Sequence, residues 1–236
     1  MLELGNVAVI DAWSLLKSGG WSEWLQDSPL DQLGPALESS VFRVEHVSDA
    51  IRLLLIWKFG GTYLDLDFIS IRSLDDLGND WVGAEDRNIV SNAALNAAPA
   101  GPGHAMFENF LKEFAEKFDG AHWAVNGPYL LTNVIYKVCN LTKGTDMQEV
   151  GRMKNCGFTV HTQKFFYPIS YATWRNYFSE KAWPVVNSSL GPSVHAIHFW
   201  NKLSKDEVVT VGSGQPYGRL ASQYCPPVYY ASVPAF

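Results

Sequence analysis

Residues 48–73 read S-D-A-I-R-L-L-L-I-W-K-F-G-G-T-Y-L-D-L-D-F-I-S-I-R-S. Ser48 suits a helix N-cap, and Asp49 would then sit in a first turn that favours negative charge. Ile51, Leu54, Leu55 and Phe59 recur at helical spacing, and Gly60-Gly61 supplies a stop. Asp49 and Arg52 are three apart, so they share one helix face and can point together into a cleft. Beyond the glycines, Thr62–Leu64 reads as a short strand, and after Asp65-Leu66-Asp67 the residues Phe68, Ile69 and Ile71 resume a strand-like run.

In this D-x-D the two carboxylates are two apart, so on an extended chain both face one side, with Leu66 turned back to the core. Paired hard oxygen ligands at a strand end suit Mn²⁺, or Mg²⁺, carrying a diphosphate. A lone D-x-D also occurs in ordinary surface turns. A capped apolar helix, a Gly-Gly stop and an aromatic at fixed offsets before it make the arrangement specific.

This block resembles the donor-binding core of the α-1,4-galactosyltransferases, of the lactosylceramide type, and of the related α-1,4-N-acetylglucosaminyltransferases. The resemblance continues through N-G-P-Y-L-L-T (126–132), F-Y-P-I (166–169) and H-F-W-N-K (198–202), and ends at Y-C-P (224–226). It covers nearly the whole chain. It implies an α/β, GT-A-like nucleotide-diphospho-sugar transferase fold, doubly wound in character, with the donor at the carboxyl ends of the strands. Members are type II Golgi membrane proteins with a lumenal catalytic domain behind an N-terminal anchor. By this likeness residues 1–236 form one catalytic domain truncated at its N-terminus, lacking the anchor and the first nucleotide-binding strand.

Composition agrees with an enzyme of this kind and excludes others. A chain of 236 residues can bury a sizeable core as one domain. A net charge of −6 and no Lys/Arg cluster argue against nucleic acid as a partner. No apolar run is long enough to span a membrane. Nine Trp are many for this length, and aromatic faces pack on sugar C–H surfaces, although most Trp serve as core. Among three cysteines, Cys139 and Cys156 flank a polar excursion whose spacing permits a disulfide, which leaves Cys225 without a partner. Sequons at Asn140 and Asn187 fit glycosylation in a secretory lumen.

Taken in order, Asn6–Asp11 predicts a strand, and Ser14–Lys17 and Trp21–Gln26 predict short helices. Pro29–Glu45 reads as an amphipathic approach, with Leu33, Leu37, Val41 and Val44 at helical spacing. Trp81–Ala84 and Asn88–Asn96 predict strands. Pro102–Phe118 predicts a helix whose stripe of Met106, Phe110, Phe114 and Phe118 is core rather than a cofactor box. Asn126-Gly127-Pro128 opens a helix over Tyr129–Val138, either as a plain helix start or as a set of backbone N–H groups for an acceptor hydroxyl. Aromatics from Phe165 to Phe178 can line the acceptor side. Val194–Phe199 predicts a second buried strand, on which His198 and Trp200 share a face while His195 points away and is structural.

The roles divide as follows. Asp67 binds the metal directly, Asp65 reaches ribose or the metal through water, and His198 completes the shell in place of being a satisfied core histidine. Asp49 and Arg52 hold donor-sugar hydroxyls; Tyr63, Gly60 and Gly61 belong to the donor pocket. Lys202 lies against the β-phosphate as charge develops. The resemblance places Asn92 near the donor sugar, with a local strand-end role as the alternative. Asn126, Gly127 and Trp200 are expected on the acceptor side. The reaction implied moves galactose from UDP-galactose to a galactose-terminated glycolipid or glycan, forming an α-1,4 bond with retention. The alternatives are transfer of N-acetylglucosamine from its UDP-sugar, a non-catalytic sugar-binding derivative, and a metal-dependent nucleotide-sugar hydrolase.

Overall fold

The computed structural model describes residues 28–30, 32–232 and 234–235. The predicted strand at 6–11 and the helices at 14–17 and 21–26 lie outside the described residues. The strands are β1 Gly61–Leu64, β2 Phe68–Ser70, β3 Trp81–Ala84, β4 Val90–Ala97, β5 Gly151–Met153, β6 Phe158–His161 and β7 Ala196–His198. The helices are α1 Gly34–Glu38, α2 Arg43–Phe59, α3 Pro102–Lys117, α4 Leu130–Val138, α5 Trp183–Ser189, α6 Asn201–Ser204, α7 Pro216–Tyr224 and α8 Pro226–Ala231.

The strands form a five-stranded sheet of order β1-β4-β3-β6-β5 and a separate β2-β7 pair. This is a mixed α/β architecture, and it departs from the doubly wound expectation. Among the described strands only β3 and β6 run parallel; β1-β4, β3-β4, β5-β6 and β2-β7 are antiparallel. The reason is local. The Glu85–Ile89 connection folds β4 straight back on β3, with both Glu85 and Asp86 N–H bonded to the Ile89 carbonyl. The parallel β3-to-β6 pairing requires a long crossover, and α3 and α4 lie within it.

Helix α2 starts five residues before Ser48, with Phe42 at its N-cap, so Ser48 is interior and not a cap. The extra turn is anchored by tertiary contacts. His46 is fully buried between the rings of Phe42 and Phe118 and is hydrogen-bonded to Ser40 Oγ and the His122 carbonyl. The amphipathic approach is likewise shorter than its spacing implies: α1 covers only five residues, and Val41 and Val44 are exposed. The end of α2 falls where expected. Gly60 has φ of 68°, and a Cβ there would lie 2.7 Å from the Pro99 nitrogen, so the position demands glycine on two counts.

Two apolar clusters fill the interior. One joins α2, α3 and α4 to the large sheet, with Met106, Phe110 and Phe114 of the predicted stripe in it and Phe118 packed at its edge. The other surrounds β2-β7 and holds Phe166, Tyr167, Ile169, Trp174, Tyr177 and Phe199. The Asp65–Asp67 segment is the connection from β1, in one sheet, to β2, in the other. Cys139, at the end of α4, is bonded to Cys156, and Cys225 is free and half-buried. Both sequon asparagines are exposed. Among the described residues no helix is long and apolar enough to cross a membrane.

Candidate active site

The site begins with a buried ion network on α2. Arg52 donates from Nε to the Ser48 carbonyl and from Nη2 to Ser48 Oγ. Its Nη1 donates to Asp65 Oδ1 at 3.0 Å and to the Asn92 carbonyl at 2.9 Å, and Nη2 also faces Asp49 Oδ1 at 3.4 Å. Four of the five guanidinium N–H groups are therefore hydrogen-bonded inside the protein, and the remaining Nη2 side faces the Asp49 carboxylate as an ion pair. Arg52 organises the site.

Asp49 accepts from Asn92 Nδ2 at 2.8 Å. Burial pushes its carboxyl up from 3.8 to about 6, only partly opposed by Arg52 and the Asn92 amide. Asp65 Oδ1 accepts a second bond from the Tyr63 hydroxyl at 2.6 Å, and the Arg52 guanidinium lies over the Tyr63 ring at 4.8 Å. With Oδ1 doubly occupied, Oδ2 is the oxygen of Asp65 left to meet a ligand.

The D-x-D turn is not an extended strand, and Leu66 points fully into solvent instead of the core. The turn still brings the two acids together, because Asp65 N–H bonds the Ala93 carbonyl on one side and Asn201 N–H bonds Asp67 Oδ2 at 2.7 Å on the other. Asp65, Asp67 and His198 each offer a ligand atom within 4.8 Å of the others. Two hard oxygens and a nitrogen at this spacing fit Mn²⁺ or Mg²⁺.

His198 has a defined tautomer. The Trp200 backbone N–H donates to Nδ1 at 3.2 Å, so that nitrogen is the acceptor and Nε2 carries the proton toward Asp67 Oδ1, also 3.2 Å away. Burial would raise the Asp67 carboxyl, but the His198 and Asn201 contacts outweigh it and hold it below the usual carboxylate range. As these contacts stand, the imidazole steadies Asp67. Direct ligation through Nε2 requires the proton on Nδ1, facing the Trp200 amide.

The predicted acceptor residues do not gather at a surface. Asn126 is fully buried, and its amide spans the Asp119 backbone with both O and N used. Trp200 does not continue β7; it adopts a left-handed conformation at the start of α6, so it does not share a strand face with His198. Its indole is buried against His198 and Tyr167 and donates to the Ile169 carbonyl. Gly127, in contrast, abuts the Asp49–Asn92 network: a Cβ there would meet Asn92 Nδ2 at 2.5 Å and Asp49 Oδ2 at 3.2 Å. His195 is buried, stacked on Phe165 and bonded to the Ser193 carbonyl.

Lys202 follows Asn201, whose N–H bonds Asp67, and has its Nζ 2.5 Å from Glu45 Oε1 and 5.7 Å from the centre of the Trp123 ring. Glu85, immediately after β3, has its carboxyl raised to about 6 by burial and by Asp86, with His198 near enough to oppose. Sequence reading missed Glu45, Trp123 and Glu85; Tyr167, one of the aromatics expected on the acceptor side, packs its ring on His198 and Phe68. An acid closing the run W-V-G-A-E was a signal for Glu85; Glu45 had none, since its partner is 157 positions away. An open depression between Glu113, Lys117 and Lys137 shares no residue with this site.

Residues 99–232 match the family described as "Alpha 1,4-glycosyltransferase conserved region", and residues 16–86 match "Glycosyltransferase sugar-binding region containing DXD motif". The lactosylceramide 4-alpha-galactosyltransferase of Pan troglodytes is 31% identical over 212 residues, covering 89% of this chain and 57% of the relative. The Homo sapiens protein of the same name is also 31% identical over 212 residues, with the same coverage. The Homo sapiens alpha-1,4-N-acetylglucosaminyltransferase is 33% identical over 215 residues, covering 87% of this chain and 58% of the relative. The chain thus spans somewhat more than half the length of these relatives. No solved structure matches it.

Proposed function

This chain belongs to the α-1,4-glycosyltransferase family, and on that premise we propose that it is the catalytic part of a retaining hexosyltransferase. The donor is UDP-galactose and the acceptor a galactose-terminated glycolipid or glycan, in the Golgi lumen of a membrane-anchored protein. The convergence of Asp65, Asp67 and His198 within 4.8 Å, in a turn joining the two sheets, carries the reading.

A divalent cation, Mn²⁺ by preference, would be held by Asp65 Oδ2 and Asp67 and would neutralise charge on the diphosphate. The chain's own residues do the rest. His198 donates to Asp67 and keeps that carboxylate aimed. Arg52 and Tyr63 fix Asp65 by filling its Oδ1. Asp49 orients the Asn92 amide, whose oxygen has no protein partner among the described residues and can accept from a donor-sugar hydroxyl. Lys202 exchanges Glu45 for the departing phosphate as negative charge develops there. In front-face transfer the bond from the sugar C1 to the phosphate oxygen breaks as the acceptor O4–C1 bond forms. The acceptor hydroxyl proton passes to the leaving phosphate.

The test is donor turnover by the full-length protein, wild type against Asp67→Ala, across a Mn²⁺ titration. Asp67→Ala is expected to lose nearly all turnover while remaining folded; equal turnover by both rejects the site. The 33% identity to an N-acetylglucosaminyltransferase supports that sugar as a second donor reading. Parallel trials with the two UDP-sugars separate the readings.

A further inference from the structure

Trp123 is large, aromatic and half-exposed (49%), whereas Tyr167 and Trp200, packed on His198, are buried. Its indole N–H has no hydrogen-bond partner among the described residues, although Trp81 and Trp200 both donate theirs to backbone carbonyls. Lys202 lies over the ring at 5.7 Å and is itself pinned at 2.5 Å to Glu45. Trp123 also stands four positions before Gly127, which abuts Asn92 and Asp49. The Lys202 contact and the short chain separation from Gly127 thus put the ring beside the proposed donor site.

We propose that Trp123 is the platform for the terminal galactose of the acceptor, with Lys202 and Glu45 holding the ring in place; this rests on the transfer reading above. Two chemical arguments converge. Front-face transfer needs the acceptor hydroxyl on the same side of the donor sugar as the leaving phosphate. Lys202 is the cation assigned to that phosphate, and Trp123 is the aromatic next to Lys202. The second argument concerns the sugar. In a β-galactoside the axial O4 lies on one face, while C3–H, C4–H and C5–H form an apolar patch toward the other. Stacking that patch on an indole buries it and leaves O4 uncovered, which is the hydroxyl an α-1,4 transfer requires. The unpartnered indole N–H can donate to an equatorial hydroxyl at the ring edge.

Saturation-transfer NMR with methyl β-lactoside as the probe tests this in the full-length protein, beside acceptor KM and calorimetric UDP affinity. Wild type is expected to pass saturation to galactose H3, H4 and H5. Trp123→Ala loses that signal and raises acceptor KM by about tenfold. Trp123→Phe keeps the signal and most of the affinity, because a flat apolar face remains. A signal undiminished in Trp123→Ala, with acceptor KM within about twofold, overturns the platform. So does an equal loss of UDP affinity, which would put the ring on the donor. Lactoside binding that depends on Trp123, in a protein that transfers nothing from UDP-galactose or from UDP-N-acetylglucosamine, upholds the platform and removes the transferase reading.

Discussion

Arg52 Nη1 meets Asp65 Oδ1 at 3.0 Å across the α2-to-β1 turn, and that one contact ties the helix to the first acid of the D-x-D. Because the same guanidinium also holds Ser48, Asp49 and the Asn92 carbonyl, a point charge cannot replace it. Arg52→Lys is expected to lower stability by about 2–4 kcal/mol, since buried acceptors lose their donors. Donor turnover should fall with it, as Asp65 loses its aim. Urea midpoints and turnover on the same preparation check both.

Gly127 is the position where backbone comes closest to this network. Its φ and ψ are both −109°, and an added Cβ would sit 2.5 Å from Asn92 Nδ2. Gly127→Ala must therefore push the Asn92 amide off Asp49. The expected cost is about 1–3 kcal/mol of stability, with a larger proportional loss in donor KM than in acceptor KM. Steady-state kinetics with each substrate varied in turn would show the split.

Asp49 gives a pH dependence of definite sign. Its carboxyl is raised from 3.8 to about 6 by burial, so the folded protein binds this proton more tightly than the unfolded chain does. Its contribution to stability is full below the unfolded value of 3.8 and is lost as pH rises through about 6. Wild-type stability should thus fall more steeply than that of Asp49→Asn as pH rises from 4 to 6, a window set by those two values. Paired urea titrations across that range measure the difference. Parallel slopes would show that the carboxyl ionises normally in its buried place.

Much of this site was legible because it is local. The α2 face, the Gly-Gly stop, β1 and the D-x-D follow one another within 26 residues, each set by spacing or backbone freedom. What was not legible depends on distant partners. The first turn of α2 exists because His46 finds Phe118 and the His122 carbonyl. Leu66 faces solvent because Asp65 and Asp67 are held by Ala93 and Asn201, which bend the segment out of a strand. The sheet is mostly antiparallel because a short connection decides how β4 returns, and periodicity does not report strand direction. Asn126 is expected on the acceptor side because a Gly-Pro helix entry can bare backbone N–H groups, whereas its buried amide is spent on the Asp119 backbone.

The Cys139–Cys156 bond closes a segment of 17 positions between α4 and β6. Chain-entropy arguments give about 3 kcal/mol for a loop of this size. The double substitution Cys139→Ser/Cys156→Ser should lower the unfolding free energy by roughly that amount while sparing UDP affinity, since neither residue reaches the D-x-D site. Denaturant titration beside UDP calorimetry tests both halves.

His198 lets the proposed metal site be examined in its parts. Nδ1 accepts from the Trp200 amide, so Nε2–H donates to Asp67 and the imidazole acts by holding a carboxylate. Loss of such a supporting contact costs about 10- to 100-fold in metal affinity, less than loss of a carboxylate that binds the ion itself. His198→Ala should therefore weaken Mn²⁺ binding within that range, and Asp67→Ala should weaken it further. His198→Gln discriminates the roles, because its amide N–H reaches the region of Nε2 and can again donate to Asp67. Recovery of most of the affinity in His198→Gln, read from the Mn²⁺ EPR signal, is the expected outcome. A Gln variant as weak as the Ala one would mean that the ring turns over on binding and ligates through nitrogen, breaking the Trp200 contact.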